Sequence, residues 1–190
     1  MKKLAIVLLI VMCYACGSDP IPKPKAYLRL EYPTPQYARI STQLPFTFDK
    51  NILADDLSQI KISRDQKSVG LDLNYSQLKG TIYLTYKSVN NNLEDYLLDA
   101  QNITQKHTQK ADEITEQKFI DAKNRVYGMF YEVGGNAASQ SQFYVTDSIN
   151  HFVTGSLYFY AKPNYDSILP AADYLKKDIQ HIMETIKWKE

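Results

Sequence analysis

The spacing of apolar positions changes several times along the chain, and each change predicts a different element. Leu4 to Met12 carries no polar side chain, but the run is too short for the ~20 residues of a membrane-spanning helix. Past residue 45, period-two patterns follow one another: Pro45-Phe46-Thr47-Phe48, then Ile60-Lys61-Ile62. Leu71, Leu73 and Tyr75 alternate with Asp72 and Asn74, and Ile82, Leu84 and Tyr86 alternate with Thr81, Tyr83 and Thr85. Period two with aromatic and β-branched residues predicts half-buried strands, with residues 75–80 as a hairpin connection. At Asn92 the spacing becomes helical, through Leu93, Leu97, Ala100 and Ile103. Asn92 suits an N-cap, and Glu94 and Asp95 suit the first turn. This helix is predicted to about Lys106, with a continuation towards Ile114 left open. Strands return over residues 126–131, 142–146 and 152–161, with a turn at Gly134-Gly135-Asn136. Pro163-Asn164 breaks the last of them. Pro170 is placed in the first turn of a final helix, whose stripe is Ala171, Leu175, Ile179, Ile182 and Ile186, with Trp188 just beyond.

Strands, helix, strands, helix, with tight turns between strands, imply an antiparallel sheet rather than parallel βαβ units. Both sets of alternating side chains in 126–133 and 152–161 are largely apolar, so helices are expected on both faces. The expected class is α+β, an α/β/α sandwich whose element order is similar to the Mog1/PsbP-like fold. That likeness of order says nothing about function.

The amino terminus adds an address. Lys2 and Lys3, the apolar run, and Ala15 before Cys16 form an export signal over residues 1–15. A cysteine just after the cut is the acceptor for diacylglycerol, so Cys16 is the expected lipid attachment. The usual box has Leu three positions before that cysteine, and Cys13 stands there instead. Simple secretion with cleavage after Ala15 is the rival reading. Residues 16–25 hold Pro20, Pro22 and Pro24, which favour an extended, semi-rigid tether. Residues 26–190 make one domain, whose first part, 26–45, is too apolar for a free linker and is expected as a strap along the surface.

Composition narrows the chemistry. The formal net charge of the whole chain is +1, and loss of Lys2 and Lys3 with the signal leaves it close to neutral. No run of basic residues suggests nucleic acid or an anionic-lipid patch. Cys13 leaves with the signal and Cys16 is consumed by the lipid, so the domain has no disulfide, cysteine metal site or cysteine nucleophile. Fifteen tyrosines point to a β-rich core with half-exposed rings.

Several strings together go beyond patterning. They include Pro22-Lys23-Pro24-Lys25-Ala26-Tyr27-Leu28-Arg29-Leu30, Leu84-Thr85-Tyr86-Lys87, and Lys106-His107-Thr108-Gln109-Lys110-Ala111-Asp112. Further on stand Gly134-Gly135-Asn136-Ala137-Ala138-Ser139, Gln142-Phe143-Tyr144-Val145-Thr146-Asp147-Ser148 and Pro163-Asn164-Tyr165-Asp166-Ser167. Taken together, the chain resembles the GldD family, gliding-motility lipoproteins of Bacteroidota. The resemblance implies an envelope lipoprotein needed for gliding and for the associated type IX secretion machinery, with no catalytic residue to carry over. The outer membrane, with the domain in the periplasm, is the expected location.

Other candidate chemistry reads more simply as structure. Asp147, Ser148 and His151 supply triad residue types, but neighbours at one strand end do not converge as a triad must. They read as a turn whose side chains bond their own backbone. His107, His151 and His181 stand on different elements with no ligand at metal spacing, so neither metal nor cofactor is expected. The expected partner contacts are Tyr27, Arg29, Tyr32 and Tyr37 in the strap, and Asn136, Ser139, Asn164, Tyr165 and Asp166 in loops. The reading is therefore a non-enzymatic, membrane-tethered component that binds other gliding and secretion proteins. The rival is a periplasmic small-molecule-binding or enzyme domain with a tyrosine-lined pocket between sheet and helix.

Overall fold

A seven-stranded antiparallel sheet organises the molecule, and each of its faces meets a different partner. The computed structural model describes residues 31–55, 61–63, 68–106, 111–160 and 165–189. Chain order gives β1 (Tyr37–Ser41), β2 (Phe46–Asn51), β3 (Lys61–Ile62), β4 (Ser68–Tyr75), β5 (Gly80–Ser88) and helix α1 (Leu93–Lys106). There follow β6 (Ala111–Asp121), β7 (Val126–Gly135), β8 (Ser139–Thr146), β9 (His151–Phe159), helix α2 (Tyr165–Thr185) and β10 (Lys187–Trp188). The large sheet has the order β3-β4-β5-β9-β8-β7-β6, and a three-stranded sheet has the order β1-β2-β10. Every pairing is antiparallel. The class is α+β.

The period-two code decides which side chains go where. Leu71, Leu73, Ile82, Leu84, Val145, Val153 and Leu157 point to one face and form the main core with Leu175, Ile179 and Ile182 of α2. Phe46 and Phe48 of β2 join the same core, and Phe46 reaches Tyr86 of β5 at 6.1 Å between ring centroids. Helix α2 and the small sheet therefore share this face. The opposite face carries Phe152 and Tyr144, which meet Val89, Leu93, Tyr96, Leu97 and Ala100 around α1. This second cluster is small, and Leu98 and Ile103 of α1 stay exposed.

Helix α1 keeps its expected end, and two details of the helix starts differ from expectation. Helix α1 ends at Lys106 and does not run towards Ile114; residues 111–121 form the edge strand β6. Its charged positions Asp112, Glu113, Glu116 and Lys118 are exposed, as an edge strand requires to discourage further pairing, and they masked the alternation. Helix α2 begins at Tyr165, five residues before Pro170, which sits inside it. The side chain of Asn136 accepts the Tyr165 N–H at 2.9 Å, so a neighbouring turn holds one of the helix's first N–H groups. Asn92 does stand at the start of α1, its carbonyl accepting from Tyr96 N–H, but its side chain accepts from Asn90 N–H at 2.7 Å instead of reaching into the helix.

Candidate functional site

Tyr32, Tyr37 and Arg39 reach across to α2. The Tyr32 ring packs on Tyr174 at 5.0 Å, and the Tyr37 ring stacks on His181 at 3.7 Å. Tyr37 donates its hydroxyl to Asp178 at 2.8 Å, and the same carboxylate accepts from Asn51 Nδ2 at 2.8 Å. Arg39 donates to the Thr185 carbonyl at the end of α2 and pairs with Asp49 at 2.8 Å. Tyr32 and Tyr37 are thus half-buried, with ring faces engaged in holding β1 to the helix.

The loop residues divide. Asn136, Tyr165 and Asp166 come together where the β7–β8 turn meets the first turn of α2. Ser139 is wholly buried, and its hydroxyl donates to the Ser141 carbonyl at 3.2 Å; it anchors the turn and does not face outward. Tyr27, Arg29, Asn164 and Cys16 lie outside the described residues, as does His107. Their contacts are spread along α2 from Tyr165 through Tyr174 to His181, roughly 24 Å at ~1.5 Å per residue, so they form no single patch.

Asp147, Ser148 and His151 make a turn. Asp147 Oδ1 accepts the backbone N–H groups of Ile149, Asn150 and His151 at 3.0, 2.8 and 2.9 Å. Ser148 takes a left-handed φ of 69°. His151 Nδ1 pairs with the Tyr86 hydroxyl at 3.0 Å, and its ring stacks on Trp188. No hydrogen bond joins Ser148 to His151 among the described residues, so base and nucleophile are not coupled. Burial pushes the Asp147 carboxyl up, but the three N–H groups and the nearby His151 outweigh it and hold the carboxyl below its usual range. Such a group stabilises the fold above the ordinary carboxylate pKa, and that stability is lost as pH falls through the depressed value. Asp147→Ala should therefore lower stability by about 1–3 kcal/mol at neutral pH and flatten the acid limb of a thermal-melt profile; Asp147→Asn should keep the turn but lose the same pH dependence.

The face around α1 holds a feature that the sequence did not announce. Leu97 of α1 and Lys118, Ile120, Tyr127, Met129 and Tyr144 of β6–β8 line a mainly apolar groove of about 320 Å³. Ile120 is 57% exposed at its rim. Reading 111–121 as a strand was the one signal that could have found it, because only then does Ile120 share a face with Tyr127. Nearer the centre of the sheet, the space between α1 and the tyrosines Tyr131 and Tyr144 is about 40 Å³, far below the ~300 Å³ of small ligand sites.

No described helix is long and apolar enough to cross a membrane. No curated protein matches the chain. A family model described as gliding motility lipoprotein GldD matches residues 17–188, a span that takes in both sheets, both helices and the chain leading into β1. With nearly the whole chain inside that match, the protein belongs to the GldD family of gliding motility lipoproteins.

Proposed function

We propose that the chain is a non-enzymatic component of the cell envelope, lipid-anchored through Cys16 to the outer membrane with its domain in the periplasm. It is required for gliding and for the associated type IX secretion machinery, and it acts by contact with other proteins of that machinery. The membership carries the link to gliding. The groove beside α1 carries the mode of action: an apolar channel next to the edge strand β6, rimmed by exposed Ile120, suits an extended apolar segment of a partner protein. A lipid anchor contributes ~0.8 kcal/mol per buried CH₂ and confines the search for that partner to a membrane surface.

The test is genetic and uses the native gene. Ile120→Glu places a charge at the groove rim, where a folded chain tolerates it, and should abolish colony spreading and secretion while the protein remains at normal level in the membrane fraction. Cys16→Ser should release the protein from the membrane and give the same two defects. Normal spreading with Ile120→Glu at wild-type abundance would refute the contact surface, and normal spreading with Cys16→Ser would refute the anchor.

A further inference from the structure

The sequence contains no run of basic residues, yet the fold assembles a cluster of them. Lys123 and Arg125 come from the β6–β7 turn, and Lys187 comes from β10, some sixty residues later. With Lys189 they surround an open cavity of about 400 Å³ at the end of the domain where the β6–β7 and β8–β9 turns lie. The size is within the usual range for small-molecule sites, ~300–1,000 Å³. It shares no lining residue with the Ile120 groove and does not depend on the function proposed above.

The walls are fixed by contacts that leave the cations free. Asp121, the nearest carboxylate in sequence, is consumed by its own turn: Oδ1 accepts the N–H groups of Lys123 and Asn124, each at 3.1 Å, and Oδ2 accepts from Asn124 Nδ2. Arg125 takes a φ of 53°, and its carbonyl accepts from Trp188 Nε1 at 2.9 Å, tying the turn to β10. Trp188 stacks on His151 at 5.0 Å, and its edge meets Phe46 in the core. Among the described residues Lys123, Arg125 and Lys187 have no carboxylate within ion-pair distance. Lys189 donates to the Thr42 carbonyl and has no carboxylate partner among the described residues either. In a chain of net charge +1, four cations around one concavity concentrate positive potential where low-dielectric walls focus it.

One acid lines the same cavity. Asp147 spends Oδ1 on its turn, while Oδ2 has no hydrogen-bond partner among the described residues. Cations at the mouth and one carboxylate oxygen suit a ligand that bears both an anion and hydroxyl donors. A phosphate group matches the planar fork of Arg125 and the point charges of the lysines. We propose that this cavity binds a phosphomonoester on a hydroxylated, sugar-like skeleton, with the phosphate held by Lys123, Arg125 and Lys187 and a hydroxyl donating to Asp147 Oδ2. Both a soluble sugar phosphate and the phosphorylated sugar of a lipid headgroup carry that chemistry.

Trp188 is the only tryptophan in the chain, so its emission reports on the cavity directly. The full chain in detergent is titrated with glucose 6-phosphate and with short-chain phosphatidylinositol 4-phosphate, with glucose plus potassium chloride at matched ionic strength as control. Equilibrium dialysis of the same mixtures gives a second readout. The expected result is saturable binding of a phosphate probe, weakened about tenfold or more in Arg125→Gln and Lys187→Gln. Both side chains are exposed, and the Arg125 carbonyl that holds Trp188 is backbone, so melting temperatures should not move. Equal affinity for the two probes assigns the site to soluble sugar phosphates, and tighter binding of the lipid by about tenfold assigns it to headgroups. Neither emission change nor retention up to about 10 mM, or binding undiminished in both variants, overturns the proposal.

Discussion

Gly128→Ala should come close to unfolding the domain. A methyl at this position of β7 would sit 1.9 Å from the Tyr144 carbonyl oxygen and 2.9 Å from Val145 Cα of the adjoining strand. The obstacle is backbone, so no rotamer change relieves it; β8 must move away from β7. Gly128 pairs with Val145, one pair in from the end of that ladder, and separation there leaves buried peptide groups without partners. Overpacking of a close-packed core alone costs about 1–3 kcal/mol, and broken ladder bonds add to it, against a total stability of ~5–15 kcal/mol. A loss of about 3 kcal/mol or more in urea melts is expected. Gly155→Ala should be severe for a different reason: its methyl meets the buried Phe143 ring at 2.1 Å, and that ring has nowhere to turn. Gly70→Ala is the internal control, because its nearest neighbour would be 3.6 Å away. If Gly128→Ala melts with Gly70→Ala, the β7–β8 register described above is wrong.

How much of this was legible in the sequence depends on where each residue finds its partner. Strands β4 and β5 announced themselves through alternation, β7 and β9 through runs of aromatic and β-branched residues on both faces, and β8, buried on both sides, through its apolar return after the Gly134-Gly135-Asn136 turn. The Asp147 turn was legible because its bonds are local. Edge strand β6 was hidden because both its faces are wet enough to accept charge, and β10 because two residues carry no period. The start of α2 could not be read, since one of its first N–H groups is held by Asn136, distant in sequence and supplied by the β7–β8 turn. The same rule governs the sites. Tyr32 and Tyr37 stood out as aromatic residues, but that their rings would face α2 was not written in their neighbours. The basic cavity shows the limit most clearly: Lys123 and Arg125 look like an ordinary solvated turn until β10 brings Lys187 beside them.

Asp178→Ala should detach β1 from the domain's main helix, and the pH dependence of stability should show why. Asp178 is wholly buried on α2, where an unsatisfied carboxylate could not be kept. Its oxygens hold Tyr37 of β1 and Asn51 of β2 at 2.8 Å each, and the Tyr75 hydroxyl of β4 is buried against it without completing a well-shaped bond. One side chain thus joins α2 to two strands of the small sheet. Removing it leaves the half-buried Tyr37 hydroxyl unpaired and the Asn51 amide with only the Tyr174 hydroxyl at 3.2 Å, and leaving such donors unpaired costs about 1–3 kcal/mol apiece. The total loss should be about 2–5 kcal/mol, larger than for truncating any exposed ion pair, such as Lys176 with Glu132. Burial raises the Asp178 carboxyl above its ordinary value, although Tyr37, Asn51 and His181 pull the other way. A raised carboxyl makes the folded state bind more protons than the unfolded chain. Its contribution to stability is therefore full below the ordinary carboxylate pKa and declines as pH climbs towards the raised one. Asp178→Asn keeps one acceptor for Tyr37 and carries no charge, so it should be milder than Ala and should remove that decline. Melts of the two variants and the parent between acid and neutral pH read all three effects; a parent whose stability rises across the interval in step with the Asn variant would mean that Asp178 is not the group responsible.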